Sequence, residues 1–153
     1  MQTLATHTSS VRTIATHPKG DILMSGSIDM TNKLYLLDNL TGRYDFLREM
    51  KYHDGFVLAI IPLPSGEGFI SAGRDGKILQ IDLEGNPVME YQGHTAAVNS
   101  LSMALNDEFV SGSWDGTAIV WNTATGEPKE ILKGHTHATA VLTLPNGITI
   151  TGS

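Results

Sequence analysis

Cysteine is absent from the 153-residue chain. That excludes disulfides and a thiolate nucleophile, and it is compatible with a reducing compartment, so the cytoplasm or the nucleus is the expected location. Long hydrophobic runs are also missing: a stretch such as residues 56–62 is far too short to cross a bilayer, and no membrane partner is expected. The opening residues, Met1-Gln-Thr-Leu-Ala-Thr-His7, lack the basic segment and apolar stretch of a signal peptide. Basic charge is scarce, with 10 Lys and Arg against 16 Asp and Glu and a net charge of -6. No basic run exists to follow a phosphate backbone, which argues against nucleic acid as a partner. No helical period of useful length is present, so the chain is expected to be all-β.

What the chain does contain is a repeat. His-Thr-Ser-Ser-Val, His-Asp-Gly-Phe-Val, Gly-His-Thr-Ala-Ala-Val and Gly-His-Thr-His-Ala place histidines at 7, 53, 94 and 135, with spacings of 46, 41 and 41 residues. Behind the first three come Ser-Gly-Ser-Ile-Asp29, Ser-Ala-Gly-Arg-Asp75 and Ser-Gly-Ser-Trp-Asp115. A period near 40 with these marks is the signature of a propeller blade. One blade cannot bury both faces alone and depends on its neighbours.

Each unit reads as four short strands separated by Gly, Asp, Asn and Ser. The first is expected at 11–16, 22–26, 33–38 and 44–49, and the second at 56–61, 68–72, 77–82 and 87–92. The third falls at 98–103, 108–112, 118–122 and 128–132; a fourth supplies only 139–144 and 148–151. Blade boundaries follow at about 7–50, 53–92, 94–133 and, incomplete, 135–153, with residues 2–5 as an extra outer strand. Asp75-Gly76 and Asp115-Gly116 are tight-hairpin signals, whereas Asp29-Met30-Thr31-Asn32 reads as a turn two residues longer and a candidate protruding loop. With a slightly longer region after the third strand, it would account for much of the first spacing.

These residues resemble the WD-repeat family along essentially the whole chain. The third unit matches best, with Gly93-His94, Ser111-Gly-Ser-Trp-Asp115-Gly-Thr and Ile119-Val-Trp121-Asn122. The resemblance implies a buried hydrogen-bonded chain over His94, Ser111, Asp115 and Trp121, which suits the donor and acceptor capacities of those side chains. The second unit keeps His53, Ser71 and Asp75 with Ile81 in the Trp position; the first keeps His7, Ser25 and Asp29, with Leu37 read there. His135 and Thr151 would start a fourth network. More narrowly, Ser-Gly-Ser-Trp-Asp-Gly-Thr-Ala-Ile-Val-Trp is similar to the amino-terminal propeller of the phospholipase-activating (PLAA-type) ubiquitin-handling adaptors. That resemblance implies ubiquitin as partner. It also implies an AAA-type segregase partner, held through later domains for which this chain has no sequence.

Catalytic and metal readings fare poorly against this background. His94, Ser111 and Asp115 have the residue types of a hydrolase triad, but the trio recurs in each of the first three units as structure would, without a nucleophile elbow. His135 and His137 lack a third ligand in sequence, and no cofactor, calcium or lipase motif is present. His17 has no assignable partner and is placed in a turn of the first blade.

The remaining candidate is the rim of the top face. By analogy with the family it comprises Ile28, Arg74 and Trp114 before the turn aspartates, and Arg12, Phe56, Leu58 and Asn99 opening the first strands. Ser10, Ala97, Ala138 and Ala140 flank these residues. Trp114 beside an arginine has the composition of a protein-binding hot spot. The expected function is therefore a non-catalytic interaction scaffold. The alternative is an assembly module. Three blades and part of a fourth leave open edges, to be completed by the rest of a propeller of about seven blades or by head-to-tail self-association.

Overall fold

The computed structural model describes residues 2–4, 6–137 and 140–153. Within them the chain forms strands and turns only. The first sheet takes β1 (Val11–Thr16), β2 (Ile22–Ser27), β3 (Asn32–Asp38) and β4 (Arg43–Met50). The second takes β5 (Val57–Pro62), β6 (Gly68–Gly73), β7 (Ile78–Asp82) and β8 (Pro87–Glu90). β9 (Val98–Met103), β10 (Glu108–Ser113), β11 (Thr117–Asn122) and β12 (Pro128–Lys133) make the third, and β13 (Ala140–Thr143) pairs with β14 (Thr149–Gly152). Every sheet is an antiparallel meander in chain order. The molecule is an all-β, partial propeller.

The core lies between blades. Met24, Leu34 and Met50 of the first sheet pack on Val57, Ile60, Phe69 and Ile81 of the second. Ile70, Ala72, Ile78 and Tyr91 meet Val98, Phe109, Ile119 and Trp121, and Val110 and Ala118 meet Val141. β2 and β6 are buried along their whole length, as expected of strands covered on both faces. Gly26 shows how closely the first two blades approach, since a Cβ there would lie 2.4 Å from Val57 Cγ1.

Three sequence expectations need correction. No two-residue insertion follows Asp29: Ser27 N donates to Thr31 O at 3.2 Å, as Gly73 N does to Lys77 O. The turns have the same length. Met30 simply occupies, at φ 70, the left-handed position held by Gly76 (φ 82) and Gly116 (φ 83). The extra length lies after β3, where Leu36, Leu37 and Asp38 continue the pairing with β4.

Restoring that register changes the residue at the Trp121 position. Phe109 pairs with Trp121 and Phe69 with Ile81, and Leu23 pairs with Tyr35. Tyr35, 1 % exposed, is therefore the first blade's counterpart, not the half-buried Leu37.

The outer strand expected at 2–5 does not form over residues 2–4, and Ala5 lies outside the described residues. Instead the Gln2 side-chain amide pairs with the outward backbone of Tyr44, donating to its carbonyl at 2.5 Å and accepting from its N–H at 2.9 Å. One side chain thus covers a point on the open edge of β4. Ala138 and Thr139, expected at the rim and at the start of a strand in the fourth unit, likewise lie outside the described residues.

Candidate functional site

The recurrent histidines are built into the blades. His94 Nδ1 lies 2.8 Å from Asp115 Oδ2, and its Nε2 is 2.6 Å from Ser111 Oγ, which accepts from Trp121 Nε1–H at 2.7 Å. A carboxylate can only accept, so Nδ1 carries the proton and Nε2 accepts from the serine hydroxyl. Burial lowers the His94 pKa, opposed by the Asp115 carboxylate, and the ring stays neutral at pH 7. Burial pushes the Asp115 carboxyl upward, but hydrogen bonds from Thr117, the Thr95 N–H and His94 outweigh it and hold the group at about 2. Ser111 and Trp121 are fully buried. No substrate can reach this hydroxyl, which rules against the triad reading.

In the second blade His53 bonds Asp75 at 3.1 Å and Ser71 Oγ at 2.9 Å. The Ile81 side chain has no N–H to offer. The serine instead accepts from Asn32 Nδ2 of the first blade at 3.0 Å. In that first blade His7 bonds Asp29 at 2.9 Å and Ser25 at 2.6 Å, while the Tyr35 hydroxyl turns to Thr6 Oγ1 at 2.6 Å. His135 Nε2 meets Thr151 Oγ1 at 2.7 Å. Among the described residues, no cluster of three or more His, Asp or Glu side chains is arranged to hold a metal ion.

Two cross-blade contacts escaped the sequence reading, although His17 does lie in the expected turn of the first blade. Asn32 carries the cross-blade bond just described. His17, only 3 % exposed, is held by Asp21 at 2.6 Å and donates from Nε2 to the Gly66 carbonyl of the second blade at 3.1 Å. The signal for Tyr35 was present: six positions separate Asp115 from Trp121 and Asp75 from Ile81, and the same count from Asp29 reaches Tyr35. No such signal marks the bond of Asn32 to Ser71 or of His17 to Gly66, because these partners lie in another blade.

The rim residues converge. Arg12, Ile28, Phe56, Leu58, Arg74, Asn99 and Trp114 together line one cavity of about 490 Å³. The backbone explains why. Register slips between Val11 and Thr13, between Val57 and Ala59, and where Val98 opens β9 opposite Ser113. The residues left over are Arg12, Leu58 and Asn99, each the extra residue of a bulge, a device that re-aims a side chain. Ile28, Arg74 and Trp114 are pinned beside them by backbone N–H bonds to Ser10, Phe56 and Ala97 carbonyls at 3.0, 2.8 and 2.9 Å. Each of the first three blades thus supplies one bulge residue and one turn residue. The Arg74 guanidinium lies 5.1 Å from the Phe56 ring centroid. Neither Arg12 nor Arg74 forms an ion pair among the described residues, and Trp114 is 46 % exposed. Of the flanking residues, Ala97 is buried and Ser10 and Ala140 are exposed.

The WD domain, G-beta repeat family matches residues 1–35 and 85–122, the second stretch holding the His94–Ser111–Trp121 chain. The chain belongs to the WD-repeat family. Phospholipase A-2-activating protein of Xenopus laevis is 33% identical over 149 residues, covering 91% of this chain and 18% of that protein. Mouse striatin (Mus musculus) is 29% identical over 146 residues, with 82% of this chain and 19% of striatin covered. DDB1- and CUL4-associated factor 13 of Dictyostelium discoideum is 28% identical over 146 residues, covering 90% of this chain and 32% of that protein. The chain thus spans about a fifth of the length of the first two of these curated relatives. WD-repeat chains are typically non-catalytic scaffolds for protein–protein interaction.

Proposed function

We propose that this WD-repeat chain is a non-catalytic scaffold that docks ubiquitin or a ubiquitinated client, in the cytoplasm or nucleus, through the rim cavity. The observation that carries the docking site is the pair of unpaired arginines, Arg12 and Arg74, framing half-exposed Trp114 in a cavity shared by three blades. Trp and Arg are the residues most enriched in binding hot spots, and a concave setting excludes water around them. Similarity to phospholipase A-2-activating protein supports ubiquitin as the partner, through the family resemblance of the third blade.

Titration of ubiquitin into the wild-type chain and the Trp114→Ala/Arg74→Ala double variant, followed by NMR, tests this reading. Both side chains are exposed, so the fold should survive. The double variant is expected to lose about 30-fold or more in affinity, the scale of a single strong hot spot. Unchanged affinity would remove the cavity from the interface.

A second reading, an assembly module, is favoured by the two ends of the blade row. Ile14 and Phe46 are 60 % and 51 % exposed at one end, and Leu142 and Ile150 are 54 % and 52 % exposed at the other. Apolar faces of this kind invite another propeller segment or a second copy. Concentration-dependent mass in sedimentation, abolished by Ile150→Lys, would support it.

A further inference from the structure

The other end of the blades carries a second groove. In an antiparallel meander, the turns after the first and third strands lie opposite the turn after the second, so this end is remote from the rim. Here the seams between blades differ at one equivalent position. His17, Leu63 and Ala104 each follow the first strand of their blade and donate N–H to Ile22, Gly68 and Glu108 carbonyls at 2.7, 2.9 and 2.8 Å. In the seam between the first two blades, His17 reaches across to the Gly66 carbonyl and closes the gap. Leu63 has no polar arm to do so. Between the second and third blades the seam remains open as a groove of about 380 Å³.

The chemistry of that groove is distinct from the rim. Leu63, Met89 and Met103 contribute to its lining, joined by Val88, which is 56 % exposed. Methionine side chains adapt to varied apolar shapes. Glu67 and Asp107 also line it, and neither forms an ion pair among the described residues. The rim presents unpaired cations and this groove unpaired carboxylates, so one partner chemistry cannot satisfy both.

We infer that the groove between the second and third blades is a separate docking site for a protein segment that presents an aliphatic side chain next to a lysine or arginine. The aliphatic group fills the Leu63–Met89–Met103 hollow, and the cation meets Glu67 and Asp107. Because the groove shares no residue with the rim, two partners of opposite charge can be held at once.

The probe is a dye-labelled synthetic peptide of alternating leucine and lysine, with a leucine–glutamate peptide as control, read by fluorescence polarisation. The basic peptide is expected to bind and the acidic one not to. Glu67→Gln/Asp107→Asn removes both charges. Asn suits the left-handed backbone of residue 107 (φ 57), so the turn is kept. This variant is expected to weaken binding about fivefold, with the remaining dependence on salt reduced. Val88→Lys, at an exposed position, should abolish it, while Trp114→Ala/Arg74→Ala should leave it unchanged. Equal binding of the acidic peptide, no binding of the basic one, or full affinity in both groove variants with unaltered thermal unfolding would overturn the inference. Loss of binding only in the rim variant would do so too.

Discussion

The second and third blades bury the same serine–histidine–aspartate trio and complete it by different routes. In the third, Trp121 of the same sheet donates to Ser111, and its ring also packs edge-on against Tyr91 and stacks with Phe109, at centroid distances of 5.8 and 6.2 Å. In the second, Ile81 supplies only packing, and the donor comes from Asn32 in the preceding blade. A buried serine oxygen needs a donor in either setting, since an unmet one costs roughly 1–3 kcal/mol. The third blade's serine network is therefore self-contained, whereas the second blade's is wired to its neighbour. With Ile81 at the position that Trp121 holds in the third blade, the serine still has a donor, through one bond across a blade boundary.

Truncating the two side chains at equivalent positions should expose the difference most strongly. Trp121→Ala removes an indole buried among three aromatic or imidazole rings together with the donor to Ser111, and is expected to cost about 3–5 kcal/mol in urea unfolding. Ile81→Ala removes packing only and should fall near about 2 kcal/mol, with the Asn32–Ser71 bond intact. Equal losses would mean that the indole N–H contributes nothing beyond its ring.

Double-mutant cycles sharpen the comparison further. The Asn32–Ser71 pair, probed with Asn32→Ala and Ser71→Ala, should show a coupling of about 1 kcal/mol, similar to that of Trp121→Phe with Ser111→Ala. Because Asn32 Oδ1 has no partner among the described residues, Asn32→Ala also relieves a buried polar atom, so its single-variant cost should be the smaller one. Additivity within error for the first pair would show that this bond does not couple the two networks.

The smallest expected effect has the opposite sign. Met30 holds the left-handed conformation that glycine holds in the other two blades, and Met30→Gly should stabilise the chain by up to about 1 kcal/mol in thermal unfolding. Destabilisation instead would mean that the methionine side chain has a packing role large enough to offset its backbone strain.

Much of this molecule is visible in the order of its residues, and the misses have specific causes. The histidine spacing and the Ser-Gly-Ser-Trp-Asp pattern led to four-stranded sheets whose observed strands agree within one or two residues at each end. Treating Met30 and Thr31 as inserted residues shifted the reading of β3 by two positions and hid Tyr35 behind Leu37. Turn chemistry caused that error: a methionine at positive φ carries no glycine signal. The outer strand expected at 2–5 does not form over residues 2–4, where the Gln2 side chain and not the backbone pairs with the edge, a choice that residue type does not reveal.

Local pattern marked out the blades, because strand period, hairpin turns and a histidine–serine–aspartate trio confined to one repeat all act within a single unit of about 40 residues. Tertiary structure decided what happens between them. That Arg12, Leu58 and Asn99 meet in one cavity, that Asn32 completes a network in the next blade, and that His17 seals one seam while Leu63 leaves another open all depend on how neighbouring blades are set against each other. Those angles come from the packing of whole sheet faces, a sum over many apolar contacts that no single repeat encodes.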